Sequence, residues 1–144
     1  MQRRLLVHVD DDPDLGFLLE RGLSVAGLPN WEFKFLHGGG SALEYLKRVQ
    51  RHEEDDPTLL LLDIKMPVVN GFDVLQWVHD NLPDLPALML SSSELIEDRL
   101  RARDLGAKGY FSKGNIFTEL IEFLRAWDET AFAQKEATAG DAAG

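Results

Sequence analysis

The sequence contains no cysteine. It can therefore form no disulfide framework, no thiolate metal site and no cysteine nucleophile. Long hydrophobic runs are also missing, because no stretch approaches the roughly 20 apolar residues of a membrane span. The apolar run after Arg4 reaches only as far as Asp10, which is too short for a signal peptide. We expect a cytoplasmic protein that does not contact a membrane.

Positive charge is in short supply. The 15 Lys and Arg residues face 25 Asp and Glu residues, and the formal net charge is −10 at pH 7. Nucleic acid would need a basic face, so it is not expected as a partner. The chain of 144 residues is long enough for one domain with a sizeable core. We predict a folded domain over 1–128, and over 129–144 the end of the last helix and a disordered Ala/Gly-rich tail.

Short apolar runs alternate with amphipathic stretches along the chain, which is typical of βαβ units. The predicted strands lie near 4–10, 31–36, 58–63, 86–91 and 109–112. The predicted helices lie near 13–27, 40–51, 71–81, 94–105 and from about 115, where Asn115 is a candidate N-cap. The apolar stripes of the first and last helices include Leu15, Leu18, Leu19, Leu23 and Ala26, and Phe117, Leu120, Ile121, Leu124 and Trp127. The pattern predicts an α/β fold, a flavodoxin-like (βα)5 doubly wound parallel sheet with strand order 2-1-3-4-5.

Polar side chains stand where the predicted strands stop. Asp10 and Asp11 follow the first strand, Asp63 the third, Ser91 the fourth and Lys113 the fifth. The carboxyl ends of parallel strands share one edge of a sheet, and ligands bind at that edge. The sequence therefore predicts that these five residues converge on one site.

The predicted site suits phosphoryl transfer. Three carboxylates close together repel one another, so a pKa must rise or a cation must bind. Oxygen ligands select Mg²⁺ or Mn²⁺ rather than zinc. Lys113 and Ser91 can hold phosphoryl oxygens, and one carboxylate can act as the nucleophile. Asp63 is the candidate nucleophile, because Asp10 and Asp11 are better used as metal ligands.

Five features in this order resemble the response-regulator receiver domain of two-component signalling. They are Val9-Asp10-Asp11, Leu62-Asp63-Ile64-Lys65-Met66-Pro67 with Asn70-Gly71, Ser91, Gly106-Ala107, and Tyr110 through Lys113. The resemblance covers about residues 4–127. It implies a phosphoprotein that accepts a phosphoryl group from a histidine kinase or a histidine phosphotransfer protein, and that acts on a downstream protein target as a monomer or homodimer.

The resemblance also implies a role for each site residue. Asp63 matches the phosphoacceptor, Asp10 and Asp11 match the Mg²⁺-binding pair, and Asp63 and the Lys65 backbone carbonyl would be further metal ligands. Lys113 matches the lysine that contacts the phosphoryl group.

The remaining matched residues concern switching and lifetime. Ser91 and Tyr110 match the switch hydroxyl and the switch aromatic, which change the face formed by the fourth helix, fifth strand and fifth helix. Lys65 and Ser93 match positions that modulate dephosphorylation. One departure is Gly114, because the family usually has proline after a cis bond there. A cis bond to glycine is costly, so we predict a trans Lys113-Gly114 bond and an altered loop.

Three other motifs have simpler interpretations. Asp12 is predicted to cap the first helix rather than bind metal. Gly38-Gly39-Gly40 lacks the spacing of a phosphate-binding loop, so a turn into the second helix is expected. The four histidines show no metal-ligand spacing.

Two alternatives to a stand-alone receiver stay open. Only residues 128–144 follow Trp127, too few for an output domain, so output by protein contact is expected. Asp10-x-Asp12 also fits a small Mg²⁺-dependent aspartyl-phosphate phosphatase of the haloacid-dehalogenase type. The third possibility is a pseudo-receiver, which would bind a partner without phosphorylation.

Overall fold

Five parallel strands form the central sheet. The computed structural model describes residues 4–28, 30–93 and 95–127. Its strands are β1 (Arg4–Asp10), β2 (Trp31–His37), β3 (Leu59–Asp63), β4 (Ala87–Ser91) and β5 (Gly109–Ser112). They lie in the order β2-β1-β3-β4-β5, and each neighbouring pair is parallel. The predicted flavodoxin-like α/β fold and its strand order are therefore confirmed.

Helices alternate with the strands. They are α1 (Pro13–Val25), α2 (Gly39–Gln50), α3 (Gly71–Asn81) and α4 (Ile96–Asp104), and after a 3-10 turn (Lys113–Asn115) helix α5 occupies 116–127. Pro13 suits the first turn of α1, and Gly27, with φ +74°, lies just past its end. The predicted start of the fourth helix at 94 and the predicted tail over 129–144 lie outside the described residues. None of the described helices is long and apolar enough to cross a membrane.

The core lies on both faces of the sheet. One cluster packs α2, α3 and α4 against Val7, Val9, Leu60 and Leu62. The other packs α1 and α5 against the alternate residues of the same strands. All five residues of β3 are buried, as expected for a parallel strand covered on both sides. The sheet is therefore open only at its ends and edges.

Three local predictions were wrong. Leu18 is 50% exposed, because α1 faces the sheet through Gly16, Leu19 and Leu23, and position 18 lies about 100° from Leu19 around the helix. Phe117 is 40% exposed, because Ile116, Leu120 and Leu124 form the inward stripe of α5. The Phe117 ring lies against Gly22 of α1.

The third wrong prediction concerns Asn115, which does not cap the last helix. It is exposed within the 3-10 turn, and the capping side chain is Ser112, whose Oγ accepts a hydrogen bond from the Gly114 amide. The described residues contain no cis peptide bond, so the predicted trans Lys113-Gly114 bond is confirmed. Because residue 114 is glycine rather than proline, it has an amide hydrogen to donate to Ser112, and the chain passes from β5 into α5 through this capped turn.

Candidate functional site

The polar residues predicted to converge lie at the carboxyl edge of the sheet. Asp10, Asp63 and Ser91 are the last residues of β1, β3 and β4, and Lys113 directly follows β5. Asp10 is 0% exposed, and Asp63 and Ser91 are each 1% exposed. The strands fix these positions because the backbone ladders set the register of β1, β3 and β4.

Three carboxylates form a cluster at this edge. Asp10, Asp11 and Asp63 each offer one oxygen, and these oxygens all lie within 4.8 Å of one another. Asp10 and Asp63 are buried, whereas Asp11 is exposed. Asp63 Oδ2 is buried without a hydrogen-bond partner among the described residues. An unpaired carboxylate oxygen in an all-oxygen cluster is what a hard divalent cation requires, so the cluster could bind one.

Lys113 bridges the two buried carboxylates. Its Nζ lies 3.5 Å from Asp10 Oδ1 and 3.3 Å from Asp63 Oδ1. Burial lowers the pKa of Lys113, but the two neighbouring carboxylates outweigh burial and raise it overall. Lys113 therefore carries its positive charge at the centre of the site.

The two buried carboxyl groups have opposite pKa shifts. Burial and the neighbouring Asp10 charge raise the pKa of Asp63 to about 7, although Lys113 acts against this. Burial also raises the pKa of Asp10, but hydrogen bonds from His8 and the Asp12 amide outweigh it and lower that pKa to about 2. At neutral pH and without a cation, Asp10 is therefore ionised, whereas Asp63 is close to its pKa and is only partly ionised.

A second group of contacts joins β4 to β5. Ser91 Oγ accepts a hydrogen bond from the Ser93 amide at 2.9 Å. Tyr110 donates its hydroxyl hydrogen to the Ser93 carbonyl at 3.2 Å, and the Arg99 guanidinium lies 4.6 Å from the centre of the Tyr110 ring. The loop after β4 is thus tied to Ser91 on one side and to Tyr110 on the other.

Lys65 lies beside the site in an exposed position, two residues after Asp63. Its segment returns to the sheet through Gly71, whose amide donates to the Ile64 carbonyl at 2.9 Å. A Cβ at Gly71 would collide with the Asp63 carbonyl oxygen, so the start of α3 lies directly against the end of β3. In the sequence, Asn70-Gly71 stood out only as part of a motif, and the motif did not predict this contact.

The other predicted motifs have structural roles. Asp12 is the N-cap of α1, and its Oδ1 accepts hydrogen bonds from the Asp14 and Leu15 amides at 3.0 and 3.4 Å. Gly38 has φ +90° and forms the turn into α2. The predicted cap at Asp12 and the predicted turn at Gly38 are confirmed.

One histidine contact was missed. His8 is buried, and its Nε2 lies 3.1 Å from Asp10 Oδ2. Metal-ligand spacing gave no sign of this contact. The available signal was strand alternation, which places residues 8 and 10 on the same face of β1. His37, His52 and His79 are exposed, as expected.

Comparison with known proteins identifies the family. The family model described as "Response regulator receiver domain" matches residues 6–125. Response regulator MprA of Mycobacterium ulcerans (strain Agy99) is 33% identical over 126 residues, which are 88% of this chain and 50% of MprA. Transcriptional regulatory protein PrrA of Mycobacterium tuberculosis (strain ATCC 25618 / H37Rv) is 31% identical over 85% of this chain and 48% of PrrA.

Solved structures agree with the family match. The bacteriophytochrome response regulator RtBRR is 32% identical, with a TM-score of 0.71 over 84% of this chain and 75% of that chain.

The chain spans about half the length of the curated relatives that it matches. Receiver domains are signalling phosphoacceptors and are generally not classed as enzymes, so the match favours that interpretation over a phosphatase. This chain belongs to the response regulator receiver domain family of two-component systems.

Proposed function

We propose that Asp63 accepts a phosphoryl group from a histidine kinase or a histidine phosphotransfer protein. The observation that carries this proposal is the buried Asp63 carboxylate, with Oδ1 at 3.3 Å from Lys113 Nζ and Oδ2 unpaired among the described residues. An ionised Asp63 oxygen attacks phosphorus, the bond from phosphorus to the donor nitrogen breaks, and the donor imidazole leaves with that electron pair. Lys113 holds a phosphoryl oxygen by charge.

Asp10, Asp11, Asp63 and the Lys65 backbone carbonyl are proposed to hold Mg²⁺, or Mn²⁺. The oxygen donors and the orphaned Asp63 oxygen fit such an ion. When bound, the cation neutralises charge on the phosphoryl oxygens. Lys65 and Ser93 flank this region and are proposed to modulate dephosphorylation by shaping the access of water.

Output is proposed to pass through the face formed by α4, β5 and α5. Ser91 and Tyr110 are the proposed switch residues, and both contact Ser93 in the loop that leads to α4. Helix α4 exposes the apolar side chains Leu95 (at its N-cap), Ile96 and Leu100. An exposed apolar patch is typical of a surface that binds another protein. A contact partner, rather than nucleic acid, is therefore proposed for this face.

Several broader expectations go with this proposal. They are a cytoplasmic location, a monomeric or homodimeric state, and output by protein contact. The curated relatives are about twice as long as the matched part of this chain, and PrrA is named a transcriptional regulatory protein. For this chain, the absence of nucleic-acid binding therefore stays a prediction.

The test is intact-mass spectrometry after incubation with acetyl phosphate. We expect one added phosphoryl group that requires both Mg²⁺ and Asp63. Asp63→Asn should remove the adduct, whereas Asp14→Asn, an exposed carboxylate in the first turn of α1, should leave it unchanged. If a histidine-kinase donor also gives no adduct while the protein stays folded and binds Mg²⁺, the pseudo-receiver alternative replaces this proposal.

A further inference from the structure

His8 is the one buried histidine among the described residues. It contacts Asp10, a member of the carboxylate cluster, from the side of the core. Its side chain is 0% exposed, and Nε2 lies 3.1 Å from Asp10 Oδ2. An ionised carboxylate can only accept hydrogen bonds, so Nε2 must carry the hydrogen. His8 therefore donates to Asp10 from inside the core.

The two oxygens of Asp10 face different surroundings. Oδ1 accepts a hydrogen bond from the Asp12 amide at 3.0 Å and lies 3.5 Å from Lys113 Nζ. Oδ2 lies against His8. The contact with His8 therefore fixes the rotation of the carboxylate, with Oδ1 on the side of Lys113 and the acidic cluster.

The histidine ring is held in place by aromatic neighbours. Its centroid lies 5.9 Å from that of Phe33 and 5.4 Å from that of Phe35, both in edge-on contact. Gly16 of α1 lies so close to Phe35 that a Cβ there would collide with the ring. The pocket is thus closed by β2 and α1, and the imidazole has little room to turn away from Asp10.

Packing alone does not account for a histidine at this position. Its Nδ1 is buried without a partner among the described residues. A leucine would fill the space without burying an unpaired nitrogen, which is unfavourable. Leu6, two residues earlier on the same face of β1, fills its buried position with such an apolar side chain. The feature that distinguishes His8 is its hydrogen bond to Asp10.

We propose that His8 is a positioning residue that orients the Asp10 carboxylate toward the cation site and thereby sets the affinity of the cluster for a divalent cation. This inference rests on the proposed function, in which Asp10 is a metal ligand. Hydrogen bonds from a second residue to a metal ligand commonly act in this way.

The test measures Mn²⁺ binding, from the electron paramagnetic resonance signal of the free ion, and Mg²⁺ binding by competition. His8→Leu should weaken binding by about 10-fold or more. His8→Gln places an amide N–H close to the position of Nε2, so it should bind nearly as tightly as wild type. Rescue by glutamine distinguishes orientation of Asp10 from a general packing role.

Leu6→Val is the matched control, because Leu6 shares the buried face of β1 but is not a neighbour of the Asp10 carboxylate in sequence. It should lower the free energy of unfolding and leave the dissociation constant unchanged. If His8→Leu does not fold, His8→Asn replaces it, because its shorter side chain cannot reach Asp10 Oδ2. Asparagine and glutamine variants of equal affinity would overturn the inference.

The remaining outcomes separate this inference from the proposed function. A folded His8→Leu variant with wild-type affinity, in a protein whose binding requires Asp10 and Asp63, overturns only the role of His8. Wild-type protein that binds neither ion, or that binds equally well after Asp10→Asn, overturns the proposed cation site and this inference with it.

Discussion

Asp10 and Asp63 are both buried at strand ends, yet their pKa values move in opposite directions. Burial raises both, so the difference lies in the hydrogen-bond donors to Asp10 and in the negative charge of Asp10, which raises the pKa of Asp63. Asp10 receives hydrogen bonds from His8 and the Asp12 amide, whereas Asp63 has Lys113 on one oxygen and an unpaired second oxygen. Of these two carboxylates, Asp63 is therefore the one with an oxygen free to bind a further group, which is the property that a phosphoacceptor needs.

The raised pKa of Asp63 predicts that Asp63→Asn stabilises the metal-free protein. The folded-state pKa of about 7 exceeds the ordinary value of 3.8 for this group, so Asp63 contributes most stability below about pH 4, and this is lost as pH rises toward 7. Asparagine resembles the protonated acid and avoids that loss. We expect a gain of roughly 2–4 kcal/mol at pH 8 that falls toward zero near pH 4.

Urea unfolding in the presence of a chelator, at several pH values between 4 and 8, measures this difference. Asp14→Asn serves as the control and should show no comparable trend. A gain for Asp63→Asn that is the same at every pH would contradict the assigned cause.

At the scale of elements, two helix starts hold the site in place. Asp12 caps α1 with its side chain and donates its own amide hydrogen to Asp10. Asn70 and Asp73 form a capping box at the start of α3, with both hydrogen bonds at 2.9 Å. Helix termini that cap themselves locally can place their first turns against the strand ends without leaving amides unpaired.

Asp12→Ala should lower the free energy of unfolding by about 1 kcal/mol, because the amides of the first turn lose their acceptor. Asp12→Ser keeps a capping oxygen and should retain most of that stability. Thermal and urea unfolding of the two variants provide the comparison. Loss of Mg²⁺ binding in the serine variant would instead identify Asp12 as a metal ligand.

Gly71→Ala should destabilise the protein by about 2 kcal/mol, because the new Cβ would collide with the rigid backbone at Asp63. Gly40→Ala in α2 is the matched control, since a Cβ there meets nothing within 4 Å. Alanine favours a helix, so the control should be neutral or stabilised by about 0.5–1 kcal/mol. Equal effects of the two substitutions on urea unfolding would argue against close contact at Gly71.

At the scale of the whole molecule, the acidity of the chain acts on stability. The net charge is −10, and three carboxylates meet at one point. An ion that binds only the folded protein stabilises it, by about 2.7 kcal/mol at 100 times its dissociation constant.

Mg²⁺ at that concentration should therefore raise the melting temperature by roughly 5–10 °C for a domain of this size. Sodium chloride of equal ionic strength should raise it less, and Asp10→Asn should remove the specific part of the gain. Differential scanning calorimetry measures each case, and a chelator should reverse the effect. Equal shifts with both salts would indicate screening of charge rather than binding.

Local patterns in the sequence determined most of the fold. The predicted strand at 4–10 matches β1, and that at 109–112 matches β5, because short apolar runs bounded by polar residues and turns indicate strands of a parallel sheet. Predicted helices mostly ended within one or two residues of the observed bounds, since Pro13, Asp12 and Gly27 act locally. The same strand-end argument predicted which polar residues would share one edge of the sheet.

Tertiary structure alone decided the details that matter for chemistry. Leu18 and Phe117 fit an apolar stripe by spacing, but which flank of a helix is covered depends on its neighbours. The contact of His8 with Asp10, the unpaired Asp63 oxygen and the approach of Lys113 to both acids depend on packing between elements up to 103 residues apart. A sequence pattern reports periodicity and caps, whereas distances and burial follow only from how the elements pack.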